Sequence, residues 1–330
     1  MVPDPLPEFR EVPGRSHGWE RRDGCDGDDR GRHLEWSNRD SRWQSRSSDR
    51  RSVRHRSVTK SVVAAQVMQL VEAGEVSLDD LAADHLPADL DFDTNQATIR
   101  QLLSHRSGLR DPDALLWDSL ATDRQHVWTT TEVLEFAGEP GWPVGSRFEY
   151  SNANYFLLGL IIEQVRERPL AQVLRDGVLA VGGTKRLVYQ PDERPSEPMA
   201  MPAGESAAAL ELGGGYLPSV ASATAGGPAA AIASDSPSLA RWWRAFCAGE
   251  IVSQVSFTEM ATLVDEYGLG LFEVADPYAA GFGHVGADYG FASWAGCIPE
   301  QGAVVAVLAN SEKDDIGGMA RPLVAALQLG

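Results

Sequence analysis

The sequence predicts an α+β fold, in which an antiparallel sheet is flanked by helices and accompanied by a mainly helical subdomain. Apolar residues recur at helical spacing through the middle of the chain, at about 80–250. Strand-like segments joined by glycine-rich turns then follow one another from about residue 266 onward. Consecutive strands without an intervening helix favour antiparallel pairing over parallel βαβ units.

The first helix of this fold begins at Ser57 and is assigned to the sheet part. Apolar residues recur through "SVVAAQVMQLVEAG", and Gly74 ends the helix. Later helices are predicted in "VSLDDLAADHLP", opened by Ser77, in "ATIRQLLSHRSGL", "TTTEVLEFA", "NANYFLLGLIIEQVRERPLAQVL" (two helices), "SDSPSLARWWRAFCAG" with an N-cap at Ser234 or Ser236, and "IGGMARPLVAALQL". Strands are predicted in "YGLGLFEV", "GFGHVGADYGFASWAGCI" and "GAVVAVLAN".

Residues 1–56 differ from the rest of the chain. From residue 14 onward this segment has only two large aliphatic residues, Leu34 and Val53, among Arg, Asp, Ser and Gly. The composition is typical of a disordered polar tail, and equally of GC-rich coding sequence translated out of frame, with the frame restored where the helical pattern begins. Both interpretations predict no stable strand in residues 14–56 and place the folded domain at 57–330.

The composition narrows the classes of function. A net charge of −18 would repel a phosphate backbone, so no nucleic-acid partner is expected. No apolar run approaches the roughly 20 residues that span a bilayer, and the opening "MVPDPLPEFREVPGR" lacks the apolar core of a secretory signal, which predicts a cytoplasmic protein. The histidines show no metal-ligand spacing and the three cysteines are far apart, so neither a metal site nor a disulfide is predicted. Nothing in the sequence specifies an oligomeric state.

The start of the first helix carries a Ser-x-x-Lys pair, Ser57 and Lys60. Residues three apart share a helix face, so the hydroxyl and the amine can meet, and the N–H groups of the first turn favour negative charge beside the hydroxyl. A lysine among apolar neighbours can act as a base for a serine nucleophile. Because serine is also among the commonest helix N-caps, the pair alone leaves a catalytic and a structural role open.

Two further pairs of residues have the chemistry to assist such a nucleophile. Tyr150 and Asn152 lie in a loop before an apolar helix, where a phenol can carry a proton and an amide can bind a substrate. Covering the core and capping the helix are the structural alternatives. His284 and Gly286 lie between glycine-rich strands, where an edge strand can approach a substrate and an imidazole can donate a hydrogen bond or carry a proton. A surface histidine on a strand is the alternative there.

Other motifs argue against other classes of enzyme. Gly281, Gly283 and Gly286 form a G-x-G-x-x-G pattern, but strand-like sequence follows in place of the helix that a dinucleotide site needs. No G-x-S-x-G occurs, which excludes the nucleophile elbow of α/β-hydrolases. His105 and Ser107 in "LLSHRSGL" favour a structural corner at the end of a helix.

Taken together, Ser-x-x-Lys at Ser57, Tyr-x-Asn at Tyr150 and His-x-Gly at His284 resemble, in order and spacing, the three motifs of the penicillin-recognising serine hydrolases. The segments "LLSHRSGL", "PVGSRFEYSNANYFLLGLIIEQV" and "YGLGLF" are similar to the class C β-lactamase-like branch, which includes D-Ala-D-Ala carboxypeptidases, D-aminopeptidases, esterases and β-lactamases. The resemblance runs from Ser57 to near the C-terminus and implies a β-lactamase/transpeptidase-like fold.

The resemblance implies a catalytic role for three residues. Ser57 would be the acylated nucleophile, Lys60 would take or relay its proton, and Tyr150 would act as general base and general acid. The implied reaction is acyl transfer to water through an acyl-enzyme, without a metal or an organic cofactor. Its implied substrate is a small molecule or peptide: a D-amino-acid peptide or a small ester or amide.

The resemblance also implies how the substrate is held. Asn152 would bind the substrate amide and orient the lysine, while His284 and Gly286 would line the edge strand that pairs with the substrate. Backbone N–H groups of Ser57 and Ala287 would form the oxyanion hole.

Two features depart from the family pattern. His284 stands where β-lactamases usually have lysine, and histidine is more typical of the carboxypeptidase, aminopeptidase and esterase branches, so at most weak β-lactam hydrolysis is expected. Arg54-His55-Arg56 precedes Ser57, where the family has a β-hairpin and a small residue beside the nucleophile. This second departure motivates an alternative hypothesis, a catalytically inactive family member that serves as a binding or scaffold protein.

Overall fold

Two antiparallel sheets and nine helices make up the part of the chain that the computed structural model describes, residues 51–112, 116, 120, 123–196, 199–202, 220–273, 281–288, 290–311 and 315–327. The strands are β1 (Val53–Arg54), β2 (Val188–Tyr189), β3 (Ile232–Ser234), β4 (Phe272–Glu273), β5 (Phe282–Asp288), β6 (Phe291–Ile298) and β7 (Ala303–Ala309). The helices are α1 (Thr59–Glu72), α2 (Ile99–Leu103), α3 (Thr130–Ala137), α4 (Ala153–Arg166), α5 (Leu170–Asp176), α6 (Val220–Ala230), α7 (Ser236–Cys247), α8 (Gln254–Met260) and α9 (Ile316–Leu327). The predicted α+β class is confirmed.

The larger sheet has the spatial order β4–β5–β6–β7, with every pair antiparallel, as the sequence predicts. Because successive side chains of a strand point to opposite faces, the apolar residues of β6 and β7 lie on both faces of this sheet. Trp294 and Val307 face α9, while Ala295 and Leu308 face the main core, where α7 packs. The sheet is therefore covered by helices on both sides over these two strands.

The first helix, α1, lies in the middle of the molecule. Nearly all of its side chains are buried, because α4 and α6 pack against it and β5 crosses its start. A helix that is apolar on most sides requires such an enclosed position. Thr59, Lys60 and Ser61 at the start of α1 thereby have no exposed surface.

The smaller sheet corrects the prediction for the N-terminal segment. It has the order β1–β3–β2, with Val53 paired to Ser234 and Val188 to Ala233. The prediction that residues 14–56 hold no strand is wrong at β1, because apolar Val53 and the backbone around it meet a free strand edge. Residues 1–50, including the rest of that predicted segment, lie outside the described residues.

Most predicted helices are present, with two corrections. The segment after Ser77 forms only a 3₁₀ turn at Ala82–His85. The segment is short, and hydrogen-bonded turns flank it on both sides in the chain. The N-cap of α7 is Asp235, whose carboxylate accepts from the N–H of Ser238, and neither of the two predicted serines serves there. The N-terminal turn of α7 thus has the acidic cap that its dipole favours.

A disulfide joins Cys247 at the end of α7 to Cys297 on β6. The prediction of no disulfide is wrong, because α7 lies against the sheet and brings together two cysteines that are 50 residues apart in sequence. Disulfides persist mainly in oxidising compartments, so the bond and the predicted cytoplasmic location point in different directions. No helix among the described residues is long and apolar enough to cross a bilayer.

We expect reduction of the Cys247–Cys297 bond to lower the free energy of unfolding by about 3 kcal/mol, because the bond restricts the unfolded chain. Urea denaturation with and without a thiol reductant measures this. The reductant should lower the midpoint of the wild type and of Cys25→Ala, and leave the midpoint of Cys247→Ala unchanged. A wild-type midpoint that does not respond to reductant would contradict the bond.

Candidate active site

Ser57 lies in a tight turn between β1 and α1. Residues Arg56–Val58 form a single 3₁₀ turn, and the N-cap of α1 is Val58, which has no side-chain cap. The turn is anchored on both sides by Ile232, the first residue of β3, since the N–H of His55 donates to Ile232 O and the N–H of Ile232 donates to Thr59 Oγ1. Because the Ser57 hydroxyl caps no helix, the structural alternative for this serine is not supported.

The amine of Lys60 is fully buried and donates three hydrogen bonds. Its acceptors are Ser57 Oγ at 3.2 Å, Asn152 Oδ1 at 2.5 Å and Ala229 O at 3.2 Å. An ammonium has three N–H groups, so this set of acceptors fixes both the position and the orientation of the amine. The structure thus confirms the contact between serine and lysine that their spacing predicts.

Tyr150 and Asn152 reach the same point from the loop before α4. The Tyr150 ring lies over Lys60, with its centroid 4.9 Å from Nζ. The orientation of the Asn152 amide is set by Asp111, whose Oδ1 accepts from both the backbone N–H and the Nδ2 of Asn152, each at 3.3 Å. With its nitrogen turned to the carboxylate, Asn152 presents its oxygen to the amine.

His284 lies on β5 and is buried, with its ring centroid 6.4 Å from that of Tyr150. Its Nδ1 is 2.6 Å from Val285 O and its Nε2 is 3.3 Å from the hydroxyl of Tyr267. Burial, together with the charge of Lys60, lowers the pKa of His284 to about 3. The imidazole is therefore neutral, with Nδ1 as donor and Nε2 as acceptor, and both nitrogens are engaged by the protein.

Gly286 lets β5 pass directly against the nucleophile turn. A Cβ on Gly286 would lie 2.5 Å from His55 O and 2.7 Å from the backbone nitrogen of Ser57, so no other residue fits. Ser293 on β6 secures the same contact, because its hydroxyl lies within hydrogen-bond distance of His55 O at 2.5 Å and of Gly286 O at 3.3 Å. Ala287, the next residue on β5, is exposed.

The structure adds three residues that the sequence did not single out for the site: His105, Asp111 and Tyr267. Asp111 orients Asn152, Tyr267 contacts His284, and the ring of His105 lies 4.2 Å from that of Tyr150. The signal available in the sequence was their position within or near the segments "LLSHRSGL" and "YGLGLF". No group of three potential metal ligands occurs among the described residues.

Comparison with known proteins places this site in a family. The family model described as Beta-lactamase matches residues 33–329. The chain belongs to the Beta-lactamase family. Among curated proteins, "Protein flp" of Staphylococcus aureus strain MW2 is 29% identical over 121 residues, which are 36% of this chain and 24% of that protein. The chain therefore matches only about a quarter of the length of this relative.

Solved structures confirm the β-lactamase/transpeptidase-like fold. A D-amino acid amidase from Ochrobactrum anthropi SV3, complexed with D-phenylalanine, is 25% identical with a TM-score of 0.72, and the match covers 87% of this chain and 95% of that one. A D-stereospecific amidohydrolase from Streptomyces sp. is 25% identical with a TM-score of 0.68, covering 82% and 85%. The resemblance drawn from the three motifs is thereby confirmed at the level of family and fold.

Arg56, directly before the nucleophile, has a left-handed backbone with φ of 50° and a buried side chain. A glycine adopts this conformation without strain, whereas a β-branched residue is strongly disfavoured. We expect Arg56→Val to be less stable than Arg56→Gly by about 1–2 kcal/mol, as measured by urea denaturation. Equal stability of the two variants would show that the backbone at this position is not left-handed.

Three buried histidines make the fold sensitive to acid. Burial lowers the pKa of His55 and of His284 to about 3 and that of His105 well below its ordinary value, whereas each has a pKa of about 6.5 in an unfolded chain. The unfolded state therefore binds more protons below pH 6.5, and the free energy of unfolding falls as the pH falls.

We expect a loss of about 4 kcal/mol between pH 7.5 and pH 5.5, since each of the three histidines contributes about 1.4 kcal/mol per pH unit below 6.5. Urea denaturation at several pH values measures the slope. His55→Gln should reduce that slope by about a third whatever its effect on stability at pH 7.5. A slope of less than one proton for the wild type would contradict the neutral, buried state of these rings.

Proposed function

We propose that this protein is a serine hydrolase that cleaves small amides, D-amino-acid peptides or esters through an acyl-enzyme. The observation that carries the proposal is the buried amine of Lys60, which donates to both Ser57 Oγ and Asn152 Oδ1 beneath the ring of Tyr150. A serine hydroxyl that accepts a hydrogen bond from a fixed amine, which itself lies beside a phenol, has the groups of an activated nucleophile.

The first step transfers the acyl group to Ser57. Because Ser57 Oγ accepts from Lys60, its own hydrogen is left for a second base, and Tyr150 in its phenolate form, with the amine of Lys60 4.9 Å from its ring centroid, is proposed as that base. Oγ attacks the substrate carbonyl carbon, the proton passes to Tyr150, and the leaving amine or alcohol takes that proton as its bond to the carbonyl breaks.

The second step releases the acid by the reverse use of the same groups. Water gives a proton to Tyr150 and attacks the ester of Ser57, and the proton returns to Oγ as the acyl bond breaks. In both steps a negative charge develops on the carbonyl oxygen, and we assign its stabilisation to hydrogen bonds from the backbone N–H groups of Ser57 and Ala287. The close contact between Gly286 and the Ser57 backbone supports this assignment, because it holds β5 beside the nucleophile.

The substrate class is proposed from two observations. The structures of similar fold include a D-amino acid amidase and a D-stereospecific amidohydrolase, which favours an amide of a D-amino acid. Within the chain, both nitrogens of His284 are engaged and its ring is neutral, so this residue does not supply a positive charge for a substrate carboxylate. An amide or ester that presents no carboxylate to His284 is the substrate that such a site suits.

A second candidate function is that of an inactive family member that binds a partner without turnover. The observation that favours it is Arg56, a buried arginine with a left-handed backbone at the position directly before Ser57. A long cationic side chain stands at this position, where the family resemblance implies a small residue.

The two candidates are separated by covalent labelling. We expect a fluorescent fluorophosphonate or penicillin to label the wild type, Ser57→Ala to abolish labelling, and Lys60→Met to slow it at least 100-fold, because the amine no longer contacts Oγ. Arg168→Met, a change in an exposed ion pair with Asp176, is the matched control and should label normally. Labelling that persists in Ser57→Ala would refute the assignment, whereas an unlabelled but cooperatively folded wild type with no turnover of esters or D-amino acid amides would favour the inactive alternative.

A further inference from the structure

His105 accepts hydrogen bonds from the backbone of the two residues that flank Tyr150. The chain turns sharply after α2, and His105 has a left-handed backbone with φ of 54° in that turn. The N–H of Glu149 donates to His105 O at 2.8 Å, and the N–H of Ser151 donates to His105 Nδ1 at 3.2 Å. One residue thus holds the chain immediately before and immediately after the phenol.

The imidazole also packs against the phenol itself. The ring centroids of His105 and Tyr150 lie 4.2 Å apart at an interplanar angle of 33°, and His105 has no exposed surface. On its other sides the imidazole meets the rings of Tyr155 and Tyr267, at 5.3 Å and 4.9 Å. The imidazole is therefore a rigid support that fixes one face of the Tyr150 ring.

The hydrogen bonds assign the state of the ring. Nδ1 accepts from Ser151 and lies 3.0 Å from Nδ2 of Asn154, so it carries no hydrogen, and the hydrogen of the neutral ring is on Nε2. A proton on Nδ1 would break the bond to Ser151, and burial beside Lys60 and His284 lowers the pKa of His105. A ring that neither accepts protons nor meets solvent does not itself move a proton in the reaction.

We propose that His105 is the positioning residue of Tyr150, fixing the phenol over Lys60 through its carbonyl oxygen, its Nδ1 and its ring face. This inference rests on the proposed function for its effect on rate, but the contacts themselves exist whether or not the protein is active. Positioning matters because a displacement of about 1 Å of a catalytic group can cost about 100-fold in rate.

Two substitutions separate the contacts. His105→Asn keeps an oxygen that can accept from the N–H of Ser151 and tolerates the left-handed backbone, but it removes the ring. His105→Phe keeps a ring against Tyr150 and removes the acceptor. We expect each to lower kcat for a small ester about 10- to 100-fold with KM within about 3-fold of the wild type. His85→Asn, which loses a contact to Asp80 away from the site, is the matched control and should retain the wild-type kcat.

A double-mutant cycle with Tyr150→Phe tests whether His105 acts through the phenol. The rate of fluorophosphonate labelling at Ser57 is the measurement. If His105 only positions Tyr150, His105→Asn should slow labelling in the wild-type background and have no further effect in the Tyr150→Phe background. Losses that multiply in the double variant would overturn the proposal, because a merely structural role would lower the rate in both backgrounds.

Amide hydrogen exchange tests the contacts independently of activity. The amide of Ser151 should exchange at least 10-fold faster in His105→Phe than in His105→Asn, and in His85→Asn it should match the wild type. Equal protection of Ser151 in all variants would overturn the proposal even if the protein is inactive. If the variants show this exchange pattern but the wild type is not labelled by fluorophosphonate, the proposed function is refuted and the contacts of His105 still stand.

Discussion

The buried amine of Lys60 is the interaction on which the rest of the site depends. It lies on α1 and donates to the turn before that helix, to the loop before α4 and to the carbonyl of Ala229 near the end of α6. Burying a charged amine is costly unless every N–H is hydrogen-bonded. Three separate segments must therefore be in place together, and that requirement fixes the position of Ser57 relative to Asn152.

A second constraint is the crossing of β5 over the nucleophile turn. Gly286 comes so close to the Ser57 nitrogen that no side chain fits, and Ser293 secures the same point from the next strand. The larger sheet and the helical part thus meet at the residue that the proposed mechanism uses as nucleophile. Because Gly286 has no side chain, backbone lies directly against backbone at this crossing, and such close positioning suits a site that must hold an oxyanion.

Much of the fold and the main residues of the site could be predicted. Helical periodicity located α1 and most later helices, and glycine-punctuated strands located the antiparallel sheet. The predictions failed where a single distant contact decided the outcome. β1 exists because β3 offers its edge, and the Cys247–Cys297 bond exists because α7 packs on the sheet. Neither contact leaves a periodic signal in the sequence.

The supporting residues show the same division. Asn152, Tyr150 and His284 are contacted by Asp111, His105 and Tyr267 respectively, and each of these contacts joins residues from different segments. Sequence spacing reports on neighbours within a helix or a strand, because the local geometry of the chain is nearly constant. Sequence spacing does not predict which residues of distant segments come into contact.

By itself, therefore, the sequence determined the α+β class, the pairing of Ser57 with Lys60 and the order of the three motifs. The contact at residues three apart follows from helix geometry alone. Only the tertiary structure decided which way the Asn152 amide faces, that His284 is neutral with both nitrogens engaged, and that β5 passes against the Ser57 turn. These features depend on burial and on hydrogen bonds between distant segments, which exist only once the chain has folded around its buried amine.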